Sequence, residues 1–174
     1  MKRGTVPSIT VVLVLVLALV GWWTRDYWAP GEAQRVRAAL EGLAEDVSFG
    51  PNEGNIAAVR RISAAVDRFT PDCSIEVEIL GVGTIQINGR DELQQGLMAA
   101  HREARRITLR FFDPVIELDA EAQKAHVHLT ATAEAEGRRR NQDGFEAIEF
   151  EFNLRRDEGR WRVQSVRTVP TLRQ

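Results

Sequence analysis

The chain has 174 residues, 44% apolar and 28% charged, which suits one folded domain with an appendage and excludes wholesale disorder. The 23 Lys+Arg and 25 Asp+Glu nearly balance, so the strongly basic surface of a dedicated nucleic-acid binder is missing. A single cysteine, Cys73, excludes an intramolecular disulfide framework and a cysteine-based zinc centre.

The chain from Val6 to Trp23 carries no charge. At about 1.5 Å per residue it reaches roughly 27 Å, close to the hydrocarbon thickness of a bilayer. Lys2 and Arg3 precede it, which by the positive-inside rule keeps the start of the chain cytoplasmic. Trp22, Trp23, Tyr27 and Trp28 follow as a cluster of amphipathic rings suited to the outer headgroup level. A cleaved signal peptide would need a small-x-small site after the apolar run, where this chain has bulky rings and Arg25. The expectation is a single-pass signal anchor: residues 1–5 cytoplasmic, 6–23 transmembrane, 24–31 an interfacial linker. The remainder is then periplasmic, on the outer side of a bacterial inner membrane.

Beyond Ala29-Pro30-Gly31, Val36, Leu40, Leu43 and Val47 recur at helical spacing. Gly50-Pro51-Asn52 marks a loop, after which Asn55 is expected to cap a second helix. Its apolar stripe is read as Ile56, Val59, Ile62, Val66 and Phe69, ending at Thr70-Pro71-Asp72. Ser74 to Leu80 alternates with period two and predicts a strand, returned by Gly81-Val82-Gly83 into Thr84-Ile85-Gln86-Ile87. A third helix opens near Asp91, its expected cap, with Leu93, Leu97, Ala100 and Ala104 inward. Four long strands follow, over 107–119, 122–136, 145–156 and 161–169, with a bulge at Asp113-Pro114. The plan is α+β: three helices on one face of a curved antiparallel sheet, a cone-shaped fold over residues 32–171 with a tail at 172–174.

Three motifs carry a resemblance. They are Phe69-Thr70-Pro71-Asp72-Cys73 before the hairpin, Asn88-Gly89-Arg90-Asp91-Glu92-Leu93 at the third helix, and the closing run Phe150 to Val163. With them the chain from about Glu32 to Thr171 resembles the nuclear transport factor 2-like superfamily, including its SnoaL-like and ketosteroid-isomerase-like members. The resemblance implies a cone with a cavity between helices and sheet, used as an active site, as a ligand pocket or simply as a core. Enzymes of the superfamily place acidic, histidine or tyrosine residues at the pocket base. The one tyrosine here, Tyr27, belongs to the membrane belt, so the tyrosine donor of ketosteroid-isomerase-like enzymes has no counterpart.

His101 is the one weak catalytic candidate, a general base near the apolar stripe of the third helix, against the plainer reading of an edge-of-core histidine. Phe69, Phe111, Phe150, Phe152 and Trp161 join it as candidate pocket lining, or else fill the cone. His126 and His128 share one strand face and could begin a metal site with Glu149 or Glu151. No compact third-ligand motif accompanies them, so that face reads as solvated or partner-facing, and no metal or cofactor is assigned. Glu76 and Glu78 could pair inside the cone but alternate with apolar neighbours and so read as facing solvent, Asp113 at the bulge is re-aimed near a site or else stabilises a turn, and Cys73 is read as a small buried filler. Arg138-Arg139-Arg140 reads as a solvated turn, or as a contact for anionic headgroups or an acidic partner.

The expected function is that of a membrane-anchored, exported binding or scaffold module without a catalytic constellation. Its partners would be the membrane through the N-terminal helix, a second copy through the sheet face, and a protein or small apolar ligand, with no nucleic acid. The alternative is a small-molecule-binding protein, or an isomerase, cyclase or hydrolase using the cone cavity.

Overall fold

The computed structural model describes residues 31–51, 53–79, 83–137 and 144–169. The expected anchor, the aromatic belt, Arg138-Arg139-Arg140 and the tail lie outside the described residues. No helix among the described residues is long and apolar enough to cross a membrane.

Helix α1 covers 31–47 and buries Val36, Leu40, Leu43 and Ala44 along one stripe. Helix α2, Asn55–Asp67, buries Ala58, Ile62, Ala65 and Val66. Three expectations are corrected here. Asn55 is the first helical residue, with Gly54 at the cap. Ile56 and Val59 are 74% and 53% exposed, because the face bearing the two small alanines is the one turned to the core. Helix α2 also stops earlier than the apolar stripe suggests. Phe69-Thr70-Pro71-Asp72 already belongs to strand β1, Phe69–Ile79.

Strand β2 is Gly83–Asn88 and helix α3 is Gly89–Glu103. The turn between them explains the Gly89-Arg90-Asp91-Glu92 motif. Gly89 sits at φ +80°, a conformation that glycine adopts without Cβ strain. Glu92 accepts the Asn88 N–H at 2.7 Å, which satisfies an orphan donor at the helix start. Asn88, and not Asp91, occupies the cap position, and Asp91 lies in the first turn. Arg90 Nε donates to the Phe69 carbonyl at 2.9 Å, tying α3 to the start of β1. Leu93 is buried, Leu97 and Ala100 are half-buried, and Ala104 opens the next strand.

Strands β3 (Ala104–Leu118), β4 (Lys124–Gly137), β5 (Gly144–Asp157) and β6 (Arg160–Thr168) form an antiparallel meander. The β3–β4 register shifts between Phe112 and Val115, with Asp113 at φ +49°, so the bulge falls where Pro114 interrupts the ladder. Glu158 and Gly159, both at positive φ, close the β5–β6 hairpin as a two-residue turn.

The sheet order is β2-β1-β6-β5-β4-β3. It is mixed, not antiparallel throughout as expected, because β1 and β6 pair in parallel. Helix α3 carries the chain from β2 at one edge to β3 at the other, and the meander then returns strand by strand until β6 lies beside β1. Three helices on one face of this sheet make the α+β cone. Its core lies between α1, α2 and the inner faces of β1, β4, β5 and β6.

Candidate functional site

The cone interior is hydrocarbon. Val36, Leu40 and Leu43 from α1 and Ile62 and Val66 from α2 meet Ile75, Val127, Leu129, Phe152, Leu154 and Val163 of the sheet. Among the described residues Thr70 is the one buried polar residue. Cys73 is buried beside it, and that burial pushes its thiol pKa up, away from the thiolate a nucleophile needs.

The aromatic residues nominated from the sequence are part of this packing. Phe69, Phe152 and Trp161 are each at most 6% exposed. Phe152 meets Phe111 edge-on at 5.5 Å and Phe150 at 6.1 Å between ring centroids. Trp161 turns its Nε1–H outward to Glu32 at 3.0 Å, which satisfies the one polar atom of the ring.

His101 stands apart from that cluster, in the last turn of α3. Its ring lies 4.7 Å from that of Phe49. Its Nε2 is 3.9 Å from Glu53 Oε2, and the Glu53 side chain is only 8% exposed. Glu53 is anchored from the other side by Arg61 Nε, 2.6 Å from Oε1, while Arg61 also donates to the Glu45 carbonyl at 3.0 Å. Glu53 Oε2 is buried and accepts no hydrogen bond. The loop carrying these residues is fixed to the sheet by a bridge between Phe49 and Ile107 and by Ser48 Oγ, which accepts the Leu109 N–H at 2.9 Å. A cavity of 340 Å³ lies against His101, Glu53, Phe49, Arg105 and Glu136. Sequence reasoning nominated His101 and missed Glu53. The carboxylate comes from the irregular α1–α2 loop, which carries no periodic signal.

On the outer sheet face, His126 and His128 lie side by side, with Nε2 atoms 2.9 Å apart. The β4–β5 register sets Glu151 opposite His128 and Asn153 opposite His126. Glu151 Oε1 is 3.7 Å from His128 Nε2. Glu149, the other carboxylate considered, pairs with Thr130 one step along. Arg167 holds the second Glu151 oxygen by an ion pair. Glu76 and Glu78 are exposed, as their alternation predicts, and line a shallow 410 Å³ groove with Glu151 and Arg167. Phe112 and Val115, flanking the bulge, are 44% and 59% exposed on this face, each in register with Thr130 or His128.

Solved structures share this fold at low identity. A protein named as a candidate scytalone dehydratase from Novosphingobium aromaticivorans superimposes with a TM-score of 0.69 at 13% identity, covering 84% of this chain and 89% of its own. A Mycobacterium tuberculosis protein of unknown function gives 0.62 at 17% identity, covering 83% and 73%. The hexachlorocyclohexane dehydrochlorinase LinA-type3 from Novosphingobium barchaimii gives 0.56 at 16% identity, covering 79% and 88%. No curated protein sequence matches the chain. The SnoaL-like domain family matches residues 59–167, from the middle of α2 to the end of β6, and the chain belongs to that family.

Proposed function

We propose that this chain is a SnoaL-like binding module, tethered to a bacterial inner membrane by residues 6–23 and exposing its domain on the periplasmic side. The observation that carries the binding reading is the interior: among the described residues its buried wall is apolar except for Thr70, whereas an active site needs polar groups converging in a pocket. The tether rests on the uncharged run from Val6 to Trp23 and the rings that follow it. The outer sheet face is the working surface, and a second copy of the chain is its partner. Phe112 and Val115 supply exposed apolar area there, beside the polar row of His126, His128, Thr130 and Thr132.

Two measurements test the reading. The full-length protein should fractionate with membranes and keep its N-terminal residues, whereas a soluble form beginning after Trp28 would refute the tether. In detergent it should sediment as a dimer that Val115→Glu dissociates.

One observation favours a second reading, a small-molecule enzyme or carrier: the His101–Glu53 pair above a cavity. Two of the structural neighbours bear the names of a dehydratase and a dehydrochlorinase, and a histidine beside a carboxylate can act as a general base. On that reading His101→Ala abolishes binding of a pocket ligand and leaves folding intact. Unchanged binding, or a simple loss of stability, would count against it.

A further inference from the structure

Two rows of side chains cross the outer sheet face in register. One runs from His126 on β4 through Asn153 on β5 to Ser165 on β6. The other runs from His128 through Glu151 to Arg167 on the same three strands. We propose that His126, His128 and Glu151 form a binding site for a divalent transition cation of the zinc class. The site is independent of the cone interior, and it lies on the sheet face that the proposed function gives to a second copy, with Val115 in register with His128.

The first ground is geometric. One ligand atom from each of the three residues lies within 4.8 Å of the others. Zinc bonds of about 2.0–2.2 Å at tetrahedral angles put neighbouring ligand atoms about 3.3 Å apart. The His126–His128 separation of 2.9 Å and the His128–Glu151 separation of 3.7 Å lie on either side of that value. Rotamer adjustments of a few tenths of an ångström would bring both to it, and the third separation, His126 to Glu151, within 4.8 Å, would close by rotation of the Glu151 side chain. Histidines at i and i+2 on a strand necessarily share a face, and the antiparallel register delivers the carboxylate opposite one of them.

The second ground is the supporting shell. His126 Nδ1 is 2.8 Å from Asn153 Oδ1, and Asn153 Nδ2 donates to Ser165 Oγ at 2.9 Å. With the amide nitrogen committed to Ser165, the amide oxygen receives the Nδ1–H of His126. That fixes the tautomer and leaves the Nε2 lone pair of His126 facing His128. Orientation of a metal-binding imidazole through its other nitrogen is what such sites require. Arg167 engages Glu151 Oε2, so Oε1, the oxygen nearest His128, is the one left for an ion.

The donor set selects the cation. Two imidazoles and one carboxylate suit zinc, cobalt, nickel or copper, whereas magnesium and calcium prefer all-oxygen shells. His128 is half-exposed in the single chain, so a fourth coordination position faces out of the sheet and would hold water or a donor from a second copy. Without an ion, His128 Nε2–H donates to the lone pair of His126. When the ion binds, the His128 proton passes from Nε2 to Nδ1 through solvent, and Nε2 is presented to the metal.

The test is titration of the untagged full-length protein, in detergent, with cobalt(II) followed by its visible spectrum, then displacement by zinc. Expected are one equivalent of cobalt bound with tetrahedral d–d bands, loss of those bands on adding one equivalent of zinc, and no displacement by equal magnesium. His126→Ala and His128→Ala should each weaken binding at least tenfold. Glu151→Gln should weaken it about tenfold, and Asn153→Ala roughly 10–100-fold through the lost orientation of His126. Glu149→Gln, on the same face, should bind as the parent does. If an alanine variant fails to fold, His128→Gln replaces it. Absence of stoichiometric uptake, binding that survives both histidine substitutions, or equal competition by magnesium would overturn the proposal.

Discussion

Along β4, Val127, Leu129 and Ala131 are buried on the inner face, while His126, His128, Thr130 and Thr132 alternate onto the outer face. The same contrast recurs on β5, where Phe152 and Leu154 point inward and Glu151 and Asn153 outward. The inner face holds the domain together by apolar burial. The outer face carries a hydrogen-bonded row from His126 through Asn153 to Ser165 and an ion pair between Glu151 and Arg167. In this SnoaL-like chain the chemically expressive residues therefore lie outside the cone and at its rim, and substitutions should sort by face.

The largest effect is expected inside. Leu154 is 2% exposed, and Leu154→Ala should cost about 2–5 kcal/mol of unfolding free energy, read from denaturant titration. Cys73 gives a parallel readout. Its burial raises the thiol pKa, so the folded protein should resist thiol reagents at pH 8, where an exposed thiol is partly ionised and reacts. Leu154→Ala should speed the labelling by the factor that it raises the unfolded population. Rapid labelling of the parent would break the contrast between the faces.

Next comes the junction that shapes the cone. Arg90→Ala removes a charged donor from the Phe69 carbonyl and should cost about 1.5–3 kcal/mol. Gly159→Ala, at φ +77° in the β5–β6 turn, should cost about 1–2 kcal/mol through backbone strain alone, since a Cβ there meets open space. The smallest effect belongs to the outer face: Thr132→Ala should move stability by no more than about 0.5 kcal/mol. A loss of several kcal/mol at Thr132 would mean that the outer face is also a structural surface.

Much of this contrast could be read from the sequence, because period-two alternation in β4 and β5 assigns faces without knowing neighbours. The bulge at Asp113-Pro114 was legible for a similar reason, since proline acts on its own ladder. What escaped depended on distant partners. The parallel pairing of β1 with β6 joins the two ends of the domain, and no local pattern encodes it. Ile56 and Val59 continue a helical apolar stripe, yet the fold packs α2 by its alanine face and leaves them in solvent. Glu53 reaches His101 from an irregular loop, so the pair is a product of tertiary structure. The grouping of Glu151 with the two histidines needed only the β4–β5 register, which follows once both strands are correctly phased.

The central claim is that the domain works through its outer face rather than through its interior. Sedimentation velocity of the full-length protein in detergent, parent beside Val115→Glu, tests it most directly. The account predicts a dimeric parent and a monomeric variant that keeps the folded far-UV spectrum of the parent, because Val115 is outside the core. A parent that stays monomeric at high concentration, or a variant that still dimerises, would contradict it.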